Sequence, residues 1–182
     1  MGRVTRPAVF LDRDGTLNVR PPDHEYLTSE RDFVWLPGAP EAVARFSRAG
    51  FAVAVVSNQR GVARGLVKPA ALAAIEARIQ RDLAAHDCAV EAFRYCIHND
   101  RDACDCRKPK PGMLLELARI LSLDLTASWM VGDSESDIQA GEAAGCATAL
   151  IDASRPQTEA DVVAASLLDA SELIVARESV QV

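Results

Sequence analysis

The sequence has no run of about 20 consecutive apolar residues, the length that a helix needs to cross a bilayer. Its first residues, MGRVTRPAVFLDRDGT, also lack the apolar stretch and small-residue cleavage site of a secretory signal peptide. Both absences argue against a membrane protein and against an exported one. We therefore expect a cytoplasmic protein with no membrane partner.

Basic charge is also scarce. The chain has 20 Lys and Arg against 26 Asp and Glu, a formal net charge of -6, and contains no run of basic residues. Proteins that bind nucleic acids present a basic patch or stripe to the phosphates. We therefore expect no nucleic acid partner, and any anionic ligand must be held by local cations and metal ions.

The five cysteines are odd in number, which disfavours a disulfide framework in a chain without a secretion signal. Cys96, Cys104 and Cys106 lie within eleven residues, and metal binding explains this crowding better. Cys88 and Cys146 lie outside the group, and we expect them to be ordinary small residues in helix or core positions.

Short apolar runs alternate with amphipathic stretches along the chain. The apolar runs predict strands at 8–11, 51–56, 93–96, 129–132 and 148–151. The amphipathic stretches predict helices at 40–49, 69–86, 112–121 and 135–144, and a short strand and a C-terminal helix follow residue 152. This alternation predicts an α/β fold, a Rossmann-like three-layer α/β/α arrangement around a mainly parallel sheet. With 182 residues and 49% hydrophobic content, we expect a single domain over residues 1–182.

Polar residues follow directly after several predicted strands. Asp12 and Asp14 follow the first strand, Ser57 the second and Asp133 a later one, while Lys108 lies between the last two. Ligands of parallel α/β sheets bind beyond the carboxyl ends of the strands, so these side chains should converge on one crevice. An Asp-x-Asp pair alone is most often a solvated turn, but the matching strand ends favour a shared site.

Carboxylates brought this close repel each other unless a hard divalent cation lies among them. Asp12 and Asp133, with the backbone carbonyl of Asp14, would supply oxygen ligands for Mg²⁺. Asp137, one helical turn beyond Asp133, is expected to cap a helix or support the site rather than bind the ion directly.

The same residues have the chemistry of phosphoryl transfer. Asp12 is the candidate nucleophile that forms a covalent aspartyl-phosphate intermediate. Asp14 would protonate the leaving alkoxide and then remove a proton from the attacking water. Ser57 and Lys108 would hold the phosphoryl oxygens as charge redistributes in the transition state.

These motifs resemble those of the haloacid dehalogenase (HAD) phosphatases. The segment Asp12 to Thr16 resembles their DxDGT motif, and Ser57, Lys108 and Asp133 match their second, third and fourth motifs. The resemblance covers nearly the whole chain and implies a HAD-like fold. The segments between the motifs are too short for the large cap domain of many members, so substrates should enter from an open side.

The segment from Cys96 to Cys106 resembles the zinc loop of one subfamily, which contains heptose bisphosphate and histidinol phosphate phosphatases. Three thiolates and an imidazole, Cys96, His98, Cys104 and Cys106, match a closed, structural tetrahedral Zn²⁺ site. The one-residue spacers are tighter than those of common zinc fingers, so spacing alone also fits unligated thiols. A bound Zn²⁺ would stiffen the loop and aim Arg107 and Lys108 at the substrate.

Within the subfamily, residues 57–65 and 110–113 resemble the heptose bisphosphate phosphatases more closely, and residues 23–26 resemble their substrate-contacting segment. The sequence departs from the pattern of these phosphatases in two places. It has three extra residues before residue 23, and it has a serine at 134 where some members have lysine. The resemblance implies removal of the 7-phosphate of D-glycero-D-manno-heptose 1,7-bisphosphate. It also implies substrate contacts from Asp23, His24, Glu25, Tyr26, Asn58, Gln59, Arg60, Arg107 and Ser134.

Two other functions remain open at this point. The five-residue gap between His98 and Cys104 also matches the histidinol phosphate phosphatases, whose ammonium-bearing substrate would favour acids such as Asp23 or Glu25. A non-catalytic sugar-phosphate-binding protein would keep the fold, but it has no need of Asp14. A nucleic-acid 3'-phosphatase is disfavoured by the missing basic stripe. The family resemblance leads us to expect a monomer.

Overall fold

The computed structural model describes residues 5–152 and 157–180. Its strands are β1 (Ala8–Leu11), β2 (Ala52–Asn58), β3 (Ala92–Cys96), β4 (Trp129–Gly132), β5 (Ala147–Ile151) and β6 (Val162–Ala164). Its α-helices are α1 (Ala39–Arg48), α2 (Pro69–Ala84), α3 (Gly112–Leu121), α4 (Glu135–Ala144) and α5 (Leu167–Val180). The predicted alternation of strands and helices is confirmed.

The six strands form one parallel sheet in the order β3-β2-β1-β4-β5-β6. All four residues of β1 are buried, which explains why its sequence, AVFL, is uniformly apolar. Strand order reverses beside β1, because the chain moves outward through β2 and β3 and then returns to β4 on the other side. Ligands of such sheets bind outside the carboxyl ends of the strands at this reversal.

Alternate residues of β1 enter two separate cores, one on each face of the sheet. Val9 and Leu11 pack in the core that receives buried residues of α1, α2 and α5. Ala8 and Phe10 pack in the core that receives α3 and α4. The predicted three-layer arrangement is therefore confirmed.

Several element boundaries differ from the sequence predictions by one or two residues. Strand β2 continues to Asn58, so Ser57 lies inside the strand rather than in the loop that follows it. Helix α2 ends at Ala84, before the predicted 86, and Asp87 beyond it has a positive φ of 54°. Predictions for residues 153–156 lie outside the described residues.

The described residues contain no cap domain above the carboxyl edge of the sheet. The connection from β1 to α1 is a loop with a 3-10 turn at Glu30–Asp32, and its Trp35 indole donates to Asp82 of α2 at 2.8 Å. Within the described residues, no helix is long and apolar enough to cross a membrane.

Candidate active site

Asp12 and Lys108 form a buried ion pair at the carboxyl end of β1. Lys108 Nζ lies 2.9 Å from Asp12 Oδ1, 2.6 Å from Asp137 Oδ1, and donates to the Val56 carbonyl at 2.8 Å. Burial alone would lower the pKa of Lys108, but the charges of the two carboxylates outweigh it and raise that pKa. The lysine is therefore a fixed cation beside the Asp12 carboxylate.

Three carboxylates meet around this ion pair. One oxygen each of Asp12, Asp133 and Asp137 lies within 4.8 Å of the other two. Burial, followed by the charge of Asp12, raises the pKa of Asp133 to about 6, although Arg20 opposes the shift. Crowded acids of this kind are suited to a hard divalent cation with oxygen ligands. The structure thus brings together two of the predicted ligands, Asp12 and Asp133.

Asp137 has two contacts beyond its ion pair with Lys108. Its Oδ2 accepts hydrogen bonds from the Ser134 backbone N–H at 3.1 Å and from Ser134 Oγ at 2.6 Å. This carboxylate therefore caps α4, as the sequence indicated. Its place in the acidic cluster also makes it a candidate third ligand, whereas the sequence analysis expected it not to bind the ion directly.

The Asp14 carboxylate lies outside the acidic cluster. Its oxygens accept hydrogen bonds from Arg13 Nη2 at 2.8 Å, Arg13 Nε at 3.1 Å, Asn18 Nδ2 at 3.0 Å and Gln59 Nε2 at 2.9 Å. Burial alone would raise the pKa of Asp14, but Arg13 and the two amides lower it. Asp14 is therefore ionised in the substrate-free site, the state that a general base requires.

Arg13 was missed by the sequence analysis. Its side chain is only 1% exposed, and its guanidinium lies 5.9 Å from the centre of the Tyr95 ring. A buried arginine needs an acidic partner, and the adjacent Asp14 supplies it. The local signal was present in the sequence as a basic residue between two motif aspartates directly after a buried strand.

Gly15 is required by the close approach of the two motif loops. Its φ is +91°, and a Cβ at this position would lie 1.8 Å from Asp133 Oδ2. Any other residue would therefore clash with the predicted metal ligand as well as strain the backbone. This glycine lets the loop after β1 pass directly against the end of β4.

An open cleft of about 380 Å³ lies over Asp12 and Lys108. The structure brings all nine predicted substrate-contacting residues to its wall: Asp23, His24, Glu25, Tyr26, Asn58, Gln59, Arg60, Arg107 and Ser134. Two of these side chains, Asn58 and Gln59, are hydrogen-bonded directly to catalytic residues. Asn58 exchanges hydrogen bonds of 3.1 Å with the Lys108 backbone N–H and C=O, and Gln59 donates to Ser57 Oγ at 3.2 Å. These two amides support the catalytic groups in the substrate-free cleft.

Arg20 also lines the cleft and was not predicted. Its Nη2 lies 2.5 Å from Asp133 Oδ1, although the arginine side chain is 52% exposed. Arg20 is followed by two prolines and belongs to the loop that carries the three extra residues before Asp23. That local difference from the family was the only available signal, and it did not indicate a contact with Asp133.

The four predicted zinc ligands form a second cluster, with ligand atoms within 4.8 Å of one another. Cys96 Sγ lies 3.7 Å from both Cys104 Sγ and His98 Nδ1, and His98 Nδ1 lies 3.2 Å from Cys106 Sγ. With Zn–S distances of about 2.3 Å, the edge of a tetrahedral site is about 3.8 Å. The residues therefore fit a Zn²⁺ ion held by three thiolates and one imidazole.

The remaining two cysteines lie apart from this cluster. Cys146 is buried beside the core under α3, and burial raises the pKa of its thiol to about 12. Cys88 packs at the edge of the other core, and its Sγ lies 3.6 Å from the Leu83 carbonyl oxygen. Both are packing residues, as expected.

The HAD-hydrolase-like family model matches residues 105–170. The chain is 40% identical over 148 residues to the D-glycero-beta-D-manno-heptose-1,7-bisphosphate 7-phosphatase of Pseudomonas aeruginosa, covering 81% of this chain and 82% of that protein. It is 39% identical over 181 residues to the protein of the same name from Escherichia coli K12, covering 92% of this chain and 93% of that protein.

Solved structures show the same relationship. D,D-heptose 1,7-bisphosphate phosphatase from B. bronchiseptica, complexed with magnesium and phosphate, has a TM-score of 0.86 and 35% identity, covering 94% of this chain and 99% of that one. The phosphatase of that name from Burkholderia thailandensis has a TM-score of 0.69 and 29% identity, covering 93% and 99%. Since relatives this similar cover most of both chains, the chain belongs to the haloacid dehalogenase family of phosphatases.

Proposed function

We propose that this protein hydrolyses phosphate monoesters with Mg²⁺ through an aspartyl-phosphate on Asp12. The substrate that we propose is D-glycero-D-manno-heptose 1,7-bisphosphate, from which the 7-phosphate is removed. The observation that supports this most strongly is that relatives named for that reaction are 39–40% identical over most of both chains. The acidic motif residues also converge here at the carboxyl edge of the sheet.

In the first step, a carboxylate oxygen of Asp12 attacks phosphorus and the bond from phosphorus to the ester oxygen breaks. Lys108, 2.9 Å from Asp12, and Ser57 near the end of β2 hold the phosphoryl oxygens. In the second step, water attacks the phosphorus of the aspartyl-phosphate, and the Asp12 carboxylate leaves. Inorganic phosphate is the second product.

Asp14 moves the protons. Its ionised carboxylate accepts a proton from the water in the second step. In the first step Asp14 instead gives a proton to the leaving alkoxide. A dianionic phosphate close by raises the pKa of a carboxyl group, so Asp14 takes up this proton from solvent as the substrate binds. Arg13, Asn18 and Gln59 keep the carboxylate in one orientation for both transfers.

Asp12 and Asp133 would hold Mg²⁺, together with the backbone carbonyl of Asp14 and, as a further candidate, Asp137. When bound, the ion supplies positive charge between the anionic nucleophile and the anionic phosphate. Cys96, His98, Cys104 and Cys106 would hold Zn²⁺ in a structural role, because four protein ligands leave no open position.

The proposal includes a small-molecule substrate, a monomeric state and a cytoplasmic location. The net charge of -6 supports the absence of a nucleic acid partner. Histidinol phosphate is the alternative substrate, because the acids Asp23 and Glu25 line the same cleft as the arginines. A non-catalytic sugar-phosphate-binding protein is the alternative from another class.

Phosphate release in the presence of Mg²⁺ tests these alternatives. We expect turnover of heptose 1,7-bisphosphate, measured with both anomers, to exceed that of histidinol phosphate. Turnover of histidinol phosphate alone would contradict the proposed substrate. Tight binding of the bisphosphate without phosphate release would indicate the non-catalytic alternative.

A further inference from the structure

The carboxylate of Asp100 lies between two arginines of the cleft wall. Arg60 Nη1 is 3.0 Å from Asp100 Oδ2, and Arg107 Nε is 2.8 Å from Asp100 Oδ1. Arg60 follows β2, Arg107 precedes Lys108, and Asp100 belongs to the cysteine-rich loop. Each oxygen of one carboxylate is thus taken by a guanidinium from a different segment.

Two guanidinium groups that converge on one carboxylate also match the geometry of a phosphate. More positive charge lies beside them, because Arg60 Nε and Arg64 Nη1 both donate to the Tyr26 hydroxyl oxygen at 3.2 Å. Arg107 Nη1 has no hydrogen-bond partner among the described residues. Without Asp100, this wall of the cleft would present three arginines to a ligand.

Asp100 itself is weakly held. Its side chain is 60% exposed, and exposed ion pairs contribute little to stability. A second cavity of about 400 Å³, bounded by Arg64 and Asn99 as well as Arg60 and Asp100, lies beside the pair of arginines. The carboxylate therefore has space into which it can withdraw.

We propose that Asp100 is an internal competitor of an anionic substrate group for Arg60 and Arg107, and thereby a specificity-determining residue of the cleft. A dianionic phosphate displaces Asp100, because it brings twice the charge and three acceptor oxygens. A substrate without a second anionic group leaves Asp100 in place. This inference rests on the proposed function and deepens it, since it restricts the preferred substrates to those with two anionic groups.

Direct binding tests this competition without any turnover. Inorganic phosphate is titrated calorimetrically into wild-type protein and Asp100→Asn, without added Mg²⁺. We expect Asp100→Asn to bind phosphate about 3- to 10-fold more tightly, the effect of removing two exposed ion pairs. Addition of Arg60→Gln should abolish that gain. Asp105→Asn is the matched control, because Asp105 is 97% exposed in the same loop and pairs with Lys110 instead; its affinity should equal that of wild type.

Kinetics then connects the competition to substrate choice. With Mg²⁺, Asp100→Asn should lower KM for heptose 1,7-bisphosphate by about 3- to 10-fold and leave KM for heptose 7-phosphate and kcat for both unchanged. An unchanged or weaker phosphate affinity in Asp100→Asn would overturn the inference, because Asp100 would then only orient the arginines. Failure of the proposed substrate is distinguishable: wild-type protein would not turn over the bisphosphate, while the phosphate titration would still decide the role of Asp100.

Discussion

The floor and the rim of the cleft differ in how firmly their charges are held. On the floor, the side chains of Lys108, Asp12 and Asp137 are 2%, 10% and 0% exposed and are fixed by strand ends and a helix cap. On the rim, the side chains of Arg60 and Asp100 are 34% and 60% exposed and come from loops. In the function that we propose, the floor determines the reaction and the rim determines which molecule undergoes it.

The largest effect should come from the floor. Asp12→Asn keeps the size of the side chain but removes the nucleophile, so kcat should fall by more than about 10,000-fold. Circular dichroism should show an unchanged fold. Substantial remaining activity in initial-rate measurements would show that Asp12 is not the nucleophile.

The cysteine-rich loop from Cys96 to Cys106 connects the two regions, because it contains Asp100 and is followed two residues later by Lys108. Cys104→Ser should lose zinc, measured by elemental analysis, and amides of residues 97–107 should exchange with solvent at least about 10-fold faster, while β1 stays protected. Cys88→Ser is the control, because this thiol lies outside the cluster, and it should keep zinc and loop protection. Full zinc content in Cys104→Ser would refute the proposed ligand set.

The acidic cluster should make the metal-free protein less stable at neutral pH. The pKa of Asp133 is raised to about 6 in the folded protein. The contribution of Asp133 to the free energy of unfolding is therefore greatest below the ordinary pKa near 3.8, and it is lost as pH rises towards 6. The loss is at most about 3 kcal/mol. In thermal denaturation at pH 7.5 without Mg²⁺, Asp133→Asn should therefore melt at a higher temperature than wild type.

Addition of Mg²⁺ should reverse that order, because the ion stabilises the wild-type acids and has lost a ligand in Asp133→Asn. The account of the cluster would be contradicted if Asp133→Asn melted at a lower temperature than wild type without Mg²⁺ and if Mg²⁺ raised the melting temperature of both proteins equally.

The smallest effect should come from the rim. Tyr26→Phe removes the oxygen that accepts from Arg60 and Arg64. Loss of these hydrogen bonds should raise KM for the bisphosphate about 2- to 10-fold while kcat stays within about 2-fold. A drop in kcat with no change in KM, measured in steady-state assays, would place Tyr26 in the chemical step instead.

The same difference explains what the sequence could predict. The buried runs of β1, β2 and β4 show the parallel sheet, and a parallel sheet brings Asp12, Ser57 and Asp133 to one edge. Four cysteine and histidine ligands in one short loop likewise indicate their own cluster. These predictions depend on patterns that are local in sequence or are brought together by the topology.

The missed contacts depend on side chains reaching between loops. Arg20 reaches Asp133 across 113 residues, and Asp100 lies between arginines that are separated from it by 40 and 7 positions. Periodicity and motif spacing carry no information on such contacts, because the loop conformations and side-chain directions are set only in the folded protein. Asp137 was recognised as a cap, but its ion pair with Lys108 depends on the same kind of long-range approach.

The stereochemistry at phosphorus tests the central claim, transfer of the phosphoryl group to Asp12, most directly. The measurement uses a phosphate ester substrate of the enzyme whose transferred group is made chiral with oxygen isotopes and sulfur. Two successive in-line displacements, first by Asp12 and then by water, predict retention of configuration in the released thiophosphate. Inversion would mean a single direct attack by water and would contradict the covalent mechanism.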